Sequence, residues 1–257
     1  MYDLHNHLLP RLDDGPNNMD ETLMMVKMSS EQGVKVIVAT PHRKDVNQFH
    51  SIEEVQEILA NVRELSLREG CQTEIMLGME NHLDRSLISD VRNGRALPIN
   101  DGKYILVEMP YEKCDANALR KTLHSIQKLR LIPVIAHPER MELFHSDPNL
   151  LSTLVEEGML TQITAGSLSG KFGGKVRRFT MEMLNCNLAH IISSDAHDAT
   201  GDRSPDMSTG YNVVRGIVGT AVAQGMVRDI PLSILENSEV AVDSPKRFRT
   251  TKAWWRF

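Results

Sequence analysis

The sequence predicts an α/β protein whose parallel strands form a distorted TIM-like (β/α)7 barrel. Short apolar runs alternate with longer amphipathic stretches along most of the chain, a pattern typical of a parallel sheet covered by helices. Seven such runs in one domain favour a closed or nearly closed barrel over an open sheet. The glycine motifs of nucleotide-binding open sheets, G-x-G-x-x-G after the first strand and G-x-x-x-x-G-K-[ST], do not occur.

The strand candidates are almost continuously apolar, which predicts burial on both faces. They cover residues 2–7, 34–40, 73–80, 104–109, 132–137, 161–165 and 189–195. The stretches between them place apolar residues at helical spacing. These helix candidates cover residues 19–33, 51–70, 117–129, 149–158 and 174–186. The first of them ends at Gly33, a residue suited to the left-handed conformation that follows many helices.

The chain of 257 residues is long enough for one large α/β domain, and we expect that domain to cover residues 1–242. Residues 243–257 differ in composition, because they carry five basic residues and both tryptophans. Two interpretations of this tail stay open. It is either docked on the domain or disordered, or it is a basic, aromatic patch for an anionic membrane surface or a membrane-bound partner.

Composition excludes several functions. The net charge of −5 does not indicate nucleic-acid binding. No apolar run approaches the roughly 18–20 residues that span a bilayer, and the N-terminus lacks the basic and apolar regions of a secretory signal. Cys71, Cys114 and Cys186 are widely scattered, which indicates reduced thiols rather than a disulfide framework or a zinc site. We therefore expect a cytoplasmic protein without a transmembrane segment.

Residues that bind metal ions stand at or just after the ends of almost all the predicted strands. They are His5, His7 and Asp14 at the first strand, His42 after the second, Glu80, Glu108 and His137 at the ends of the third, fourth and fifth, and Asp195 and His197 at the last. One such residue alone is more often a core or loop residue than a ligand. Because the carboxyl ends of barrel strands meet at one rim, the nine together predict a single site.

The charges of these nine residues favour bound cations. Four of them are carboxylates, and four crowded carboxylates do not all ionise without counter-charge. Two or three divalent ions would neutralise them, and mixed histidine and carboxylate ligation suits Mn²⁺, Fe²⁺ or Zn²⁺. Neighbouring ions that share a carboxylate activate water and hold a phosphoryl group. Arg140 and Arg203 follow two of these strand ends, where each guanidinium either binds phosphate oxygens or pairs with a nearby acid.

The segments that carry these residues resemble a known superfamily. They are "DLHNHLLPRLDDGP", "ATPH", "GME", "VEMP", "VIAHPER" and "SSDAH". In this order and spacing they resemble the PHP (polymerase and histidinol phosphatase) superfamily, and more closely its manganese-dependent protein-tyrosine phosphatases from bacterial capsule and exopolysaccharide loci. The resemblance extends over about residues 1–240. Arg11 departs from it, because a small residue such as glycine is usual there.

The resemblance implies a trinuclear metal centre on the PHP barrel, with Mn²⁺ as the first choice and Fe²⁺, Zn²⁺ or Mg²⁺ as alternatives. The implied ligand sets are His5, His7, Glu80 and Asp195 for one ion, Glu80, Glu108 and His137 for a second, and Asp14, His42 and His197 for the third. Arg140 and Arg203 match positions associated with phosphate binding and catalysis. The implied substrate is a phosphotyrosine protein, typically the membrane-associated tyrosine kinase of polysaccharide synthesis.

The expected reaction is attack of a metal-bridging hydroxide on the phosphorus of phosphotyrosine. No cysteine nucleophile is expected, because the metal-bound hydroxide would take that role. Three alternatives stay open: a phosphatase of histidinol phosphate or another small phosphomonoester, an amidohydrolase-type enzyme, and a scaffold without activity. Of the remaining histidines, we expect only His82 to lie near enough to the site to contact substrate.

Overall fold

The computed structural model describes residues 1–111 and 115–248, and within them the chain forms eight strands. They are β1 Tyr2–Asn6, β2 Val36–Ala39, β3 Glu74–Leu77, β4 Asn81–His82, β5 Tyr104–Glu108, β6 Ile132–Ala136, β7 Leu160–Thr164 and β8 Ile191–Ser193. All pairings between them are parallel, in the orders β1-β2-β3 and β4-β5-β6-β7-β8. This is the parallel α/β architecture that the sequence predicts.

Backbone hydrogen bonds join the two sheets at one side. His7 N donates to Ala196 O at 2.8 Å, and Asp195 N donates to His5 O at 2.9 Å, so the end of β1 lies beside the residues that follow β8. At the other side β3 pairs with β2, whereas β4 pairs with β5. The strands therefore follow one another around a distorted barrel.

The third predicted strand, residues 73–80, ends early in the structure: β3 covers Glu74–Leu77, and a separate short strand, β4, begins at Asn81. β3 belongs to the first sheet and β4 to the second. The chain changes sheets at residues 78–80, where a side chain at Gly78 would lie 3.2 Å from the Val38 side chain. An apolar run predicts a buried strand but does not identify its neighbour, so the sequence did not reveal this break.

Twelve α-helices occur in the described residues. They are α1 Met19–Glu31, α2 Arg43–Phe49, α3 Ile52–Arg68, α4 Leu87–Arg92, α5 Ala116–Lys128, α6 Glu142–Ser146, α7 Pro148–Glu156, α8 Ala165–Ser169, α9 Gly173–Asn185, α10 Met207–Val218, α11 Thr220–Gln224 and α12 Ile230–Leu235. The five predicted helices correspond to α1, α3, α5, α7 and α9, within two residues at each end. Gly33 follows α1 with a φ of +78°, as its predicted role requires.

The core has two parts, both built from buried aliphatic side chains. The larger part packs the helices against the outside of the strands. The smaller part includes Leu4, Leu106, Val134 and Ile191 from four different strands, together with Ile234 of α12. Because its members come from strands around the ring, this part fills the barrel interior below the carboxyl ends of the strands.

The residues that follow position 242 contact the barrel helices as far as they are described. Lys246 N donates to Cys186 O at 2.8 Å, Arg247 pairs with Glu156 at 3.0 Å, and the Phe248 ring stacks on Phe179 with centroids 5.3 Å apart. Residues 249–257, including both tryptophans, lie outside the described residues. The predicted domain boundary and the membrane or partner contact of the tail thus stay predictions. Within the described parts of the chain, none of the helices combines the length and apolarity needed to span a bilayer.

Candidate metal centre

The structure brings all nine predicted ligand residues to the carboxyl ends of the strands. Seven of them are buried: His5, His7, Glu80, Glu108, His137, Asp195 and His197. His42 is partly buried and Asp14 is half exposed, with side-chain exposures of 16% and 54%. The cluster therefore extends from the barrel interior to the surface at Asp14.

Glu80 is the centre of this cluster. Its Oε2 lies 3.3 Å from Nε2 of His5 and 3.3 Å from Nε2 of His7. Its Oε1 lies 2.9 Å from Nε2 of His137, and that same nitrogen is 3.7 Å from Glu108 Oε1. The two oxygens of Glu80 thus face two different sets of donors, which is the arrangement of a carboxylate that bridges two ions.

Asp14, His42 and His197 form a third set of donors. Asp14 Oδ1 lies 3.1 Å from His197 Nε2 and 3.4 Å from His42 Nε2. Asp195 Oδ1 lies 3.4 Å from His5 Nε2 and 3.6 Å from His197 Nδ1. Ligand atoms come close enough to share one ion in three matching groups: His5, His7 and Glu80; Glu80, Glu108 and His137; and Asp14, His42 and His197 together with His7. Asp195 belongs to none of these groups. The geometry is therefore compatible with the three ligand sets that the resemblance implies, and the assignment of each residue stays a prediction.

Three of the histidine rings are oriented by hydrogen-bond partners of their Nδ1 atoms. His7 Nδ1 lies 2.7 Å from Asp13 Oδ2, and His5 Nδ1 lies 2.9 Å from Gln162 Oε1. His197 Nδ1 lies 3.0 Å from the carbonyl of Asp195. Each partner engages Nδ1 and leaves Nε2 directed at the cluster, as is usual around metal-binding histidines.

Sequence reasoning missed Gln162 as a functional residue. It lies in β7, is fully buried, and holds His5. The available signal was an amide in the middle of a predicted buried strand, where a polar side chain needs a specific partner. Asp13, the neighbour of the predicted ligand Asp14, contacts His7 and also accepts a hydrogen bond from the backbone N of His42 at 2.9 Å.

The charges of the cluster shift the pKa values of its groups in opposite directions. Burial alone lowers the pKa of His5, but Glu80 and Asp195 outweigh this effect and raise it to about 9. Burial also lowers the pKa of His42, but hydrogen bonds to Asp14 and Glu80 outweigh this effect and raise the pKa to about 11. Burial and the neighbouring His7 lower the pKa of His197 to about 4. The carboxylates thus need positive charge beside them.

The donor set fits divalent metal ions. Neutral imidazoles and carboxylates are the ligands that Mn²⁺, Fe²⁺ and Zn²⁺ share. Among the described residues His137 Nδ1 is buried without a hydrogen-bond partner, although buried polar atoms normally have one. The backbone is also strained at two of the ligands, since His137 and Asp195 have φ values of +30° and +52°. Such strain in residues other than glycine is concentrated at functional sites.

Both predicted arginines lie at the edge of the cluster. Arg140 pairs with Asp195, and its Nη2 donates to the hydroxyl of Tyr111 at 3.0 Å. Arg203 Nη1 donates to Asp14 Oδ2 at 2.9 Å, and its Nη2 lies 3.4 Å from Asp195 Oδ1. Two guanidinium groups therefore face the same carboxylates as the histidines, in a position to bind an anion above the cluster.

Arg11 has a left-handed backbone conformation, with a φ of +64°. Glycine adopts this conformation with less strain than other residues, which agrees with the small residue that the resemblance implies at this position. Its Nε donates to Asn17 O at 2.8 Å, so the side chain is tied to its own loop. Of the five histidines outside the predicted ligand set, His82 alone contacts a predicted ligand within the described residues, at 2.8 Å from Glu108 Oε2.

Comparison with known proteins gives a consistent result. The family described as capsular polysaccharide synthesis, CpsB/CapC, matches residues 1–236. The chain is 30% identical to the tyrosine-protein phosphatase YwqE of Bacillus subtilis over 97% of this chain and 94% of that protein. It is 28% identical to the tyrosine-protein phosphatase CpsB of Streptococcus pneumoniae over 91% of this chain and 98% of that protein.

Solved structures agree with the sequence comparison. A structure from a study of YwqE and CpsB, described there as metal-dependent tyrosine phosphatases, superposes with a TM-score of 0.89 at 29% identity, covering 97% of this chain and 100% of that chain. A dihydropyrimidinase from Brevibacillus agri gives a TM-score of 0.51 at 10% identity, covering 95% of this chain and 73% of that chain. The second similarity concerns the fold alone and does not support an amidohydrolase activity.

Proposed function

The chain belongs to the CpsB/CapC family of capsular polysaccharide synthesis, and we infer from this that it is a metal-dependent protein-tyrosine phosphatase. The single observation that best supports this function is the arrangement around Glu80, whose two oxygens face separate sets of histidines. Beside it lie two arginines that contact the same carboxylates. Such an arrangement suits the hydrolysis of a phosphomonoester.

Each group of the site has a distinct task in this proposal. The predicted ligands would hold two or three divalent ions, which lower the pKa of water and neutralise the phosphoryl charge. Arg140 and Arg203 bind the phosphate oxygens and stabilise the charge that develops on them. The phenol of tyrosine has a pKa of about 10 and leaves without a strong acid. Tyr111 holds the Arg140 guanidinium through its hydroxyl.

No cysteine is needed as a nucleophile in this proposal. Cys71 precedes β3 and Cys186 follows α9, which places both at the end of the barrel opposite the carboxyl ends of the strands. Both are buried. Cys114 lies outside the described residues, and Arg120 follows it at the C-x-x-x-x-x-R spacing. Four of the five residues between them, 116–119, belong to helix α5 rather than to a phosphate-binding loop, and Arg120 pairs with Glu157.

The finer assignments are part of the same proposal. Mn²⁺ is the preferred ion, because mixed histidine and carboxylate donors without thiolate suit it. The phosphotyrosine protein is the tyrosine kinase that controls capsular or exopolysaccharide synthesis, since the family is named for that synthesis. We place the reaction in the cytoplasm, on the grounds of scattered cysteines that form no disulfide framework.

The deciding experiment measures phosphate release by metal-depleted protein that is resupplied with Mn²⁺, Fe²⁺, Zn²⁺ or Mg²⁺. A phosphotyrosine peptide and a small phosphomonoester such as histidinol phosphate are compared as substrates. We expect turnover of the peptide that depends on metal and persists after all three cysteines are changed to serine. Turnover that survives chelation, or that requires a cysteine, would contradict the proposal. A preference for the small substrate would instead assign a small-molecule phosphatase.

A further inference from the structure

An aromatic side chain lies directly beside the predicted phosphate-binding arginine. The Cζ atom of Arg140 is 4.7 Å from the centroid of the Phe172 ring. Phe172 also lines a cavity whose other walls include Gly166, Lys171, Asp195 and Arg203. This cavity therefore reaches from an aromatic surface to a predicted ligand and a predicted phosphate-binding group. Neither the metal chemistry nor the phosphate binding described above requires a ring at this point.

The backbone around Phe172 fixes where its ring lies. Phe172 occupies the short loop between α8 and α9, where Gly170 and Gly173 have φ values of +91° and +90°. Glycine adopts this left-handed conformation without the strain of other residues. Lys171 N donates to Gly166 O at 3.0 Å, and Gly173 N donates to Gly170 O at 2.9 Å. The loop is thus a defined turn that presents its two central side chains to the cavity.

The position of the Phe172 ring also depends on Gly166, which has no side chain. A Cβ atom at Gly166 would lie 3.1 Å from Phe172 Cε2 and 3.3 Å from Lys171 Cδ. Both distances are shorter than ordinary van der Waals contact. A larger residue at position 166 would therefore displace Phe172 from its place in the cavity.

We propose that Phe172 is a specificity-determining residue whose ring packs against the phenyl ring of the substrate phosphotyrosine while Arg140 and Arg203 hold its phosphate. The inference rests on the phosphatase function proposed above. An aryl phosphate bound by these arginines carries its ring only one oxygen atom away from the phosphorus, within reach of Phe172. Aromatic rings pair favourably at centroid distances of about 4.5–7 Å. Phosphoserine and sugar phosphates contain no aromatic ring, so they cannot make this contact.

The experiment separates contact with the substrate ring from support of Arg140. Phenylphosphonate and methylphosphonate are resistant to hydrolysis and share the group that the arginines bind, but only the first carries a ring. Their binding to metal-loaded protein is measured by calorimetry for the wild type and for Phe172→Ala, Phe172→Leu and Phe172→Tyr. The leucine variant retains apolar volume without a flat ring, and the tyrosine variant retains the ring face.

We expect the dissociation constant of phenylphosphonate to rise about 3- to 10-fold in Phe172→Ala and Phe172→Leu, the range for loss of one aromatic pair. Methylphosphonate should change less than about 2-fold, and Phe172→Tyr should restore phenylphosphonate binding. Gly166→Ala tests the same contact without altering the ring, and should weaken phenylphosphonate selectively. For substrates, the ratio of kcat/KM between phosphotyrosine and phosphoserine peptides should fall by the same factor.

Equal weakening of both phosphonates would overturn the inference, because it would mean that Phe172 acts only by supporting Arg140. Unchanged binding of phenylphosphonate in all the variants would overturn it as well. The proposed phosphatase function fails in a different way, through the absence of metal-dependent turnover by the wild type. A wild-type enzyme that hydrolyses the peptide, with variants that do not distinguish the two phosphonates, would retain the function and reject the role of Phe172.

Discussion

Asp13 links two predicted ligands although it is not expected to bind an ion itself. Its Oδ2 is within hydrogen-bond distance of both His7 Nδ1 and the backbone N of His42. The Asp13 carboxylate holds the His7 imidazole in the tautomer that leaves Nε2 free. It also fixes the backbone of His42 at the start of α2. Residues that orient metal-binding histidines in this way commonly contribute 10–100-fold to metal affinity.

Changing Asp13 to asparagine should therefore weaken metal binding by about 10- to 100-fold while leaving the fold intact. Metal affinity is measured by competition with a coloured chelator, and folding by circular dichroism. Asp20→Asn is the matched control, because Asp20 is an exposed acid in the first turn of α1. An affinity that is the same in both variants would show that Asp13 has no orienting role.

His190 makes stability depend on pH at a distance from the predicted metal ligands. Its Nδ1 accepts a hydrogen bond from the backbone N of Thr161 at 3.0 Å, and burial lowers its pKa to about 4. An unfolded histidine has a pKa of about 6.5, so between these values the unfolded chain binds a proton that the folded chain does not. The contribution of His190 to the free energy of unfolding is therefore fully present above pH 6.5 and is lost as the pH falls toward 4.

The wild type should lose about 2 kcal/mol more than His190→Asn in its free energy of unfolding between pH 7 and pH 5. Asparagine does not titrate, and its carbonyl oxygen can accept the same hydrogen bond from Thr161. Urea unfolding at the two pH values, in the presence of a chelator for both proteins, provides the measurement. Parallel pH profiles for the two proteins would refute the assignment to His190.

At the scale of elements, α10 packs closely against α8, the short helix that follows β7 and borders the cavity. A Cβ atom at Gly210 of α10 would lie 2.7 Å from Ala165 Cβ and 2.9 Å from Ala165 Cα. Gly216 belongs to the same helix but would place its Cβ in open space. One helix thus contains a glycine needed for close packing and another that packing does not require.

Gly210→Ala should lower the free energy of unfolding by about 1–3 kcal/mol, because the added methyl group overfills a packed contact. Gly216→Ala should raise it by about 0.5–1 kcal/mol, since alanine favours an exposed helix interior. Denaturant unfolding of the two variants gives both values with one protocol. If both substitutions stabilise the protein equally, the contact between α10 and α8 is looser than described.

The sequence predicted elements whose pattern is local and missed those that depend on distant partners. The long helices α1, α3 and α5 have apolar residues at helical spacing, and α3 also begins with a capping box formed by Ser51 and Glu54. Short helices such as α2 and α8 contain one or two turns, too few for periodicity to be recognised. The division between β3 and β4 depends on which strands lie beside them, and this information is not local.

The same distinction applies to the candidate site. Nine residues could be collected from the sequence because strand ends converge in any parallel barrel. Gln162, which orients His5, and Phe172, which lies over Arg140, did not stand out, because an isolated amide and an isolated phenylalanine have no characteristic spacing. Their positions follow from tertiary contacts alone.

At the scale of the whole molecule, the predicted ligands connect both sheets of the barrel. Glu80 lies where the chain passes from β3 to β4, and it contacts residues of β1 and β6 at once. An ion bound by these groups would hold together strands that backbone hydrogen bonds join at only a few points. Metal binding should therefore stabilise the complete fold rather than one loop.

Addition of Mn²⁺ to metal-depleted protein should raise Tm by about 5–10 °C at concentrations well above the dissociation constant. The increase should continue with metal concentration, as linkage requires. Differential scanning calorimetry provides the measurement, and Glu80→Gln, which removes the shared carboxylate charge, is the control. A wild-type Tm that does not respond to any of the four candidate ions would contradict a metal centre at this position.

The distribution of these residues along the chain also determines when the site can be assembled during synthesis. His5 and His7 are made early, whereas Asp195, His197 and Arg203 follow about 190 residues later. Because the last groups complete two of the predicted ligand sets, a nascent chain still on the ribosome offers only a partial set for most of its elongation. An ion that needs Asp195 or His197 as a ligand can therefore be bound by its full set only after the chain has been made past these residues.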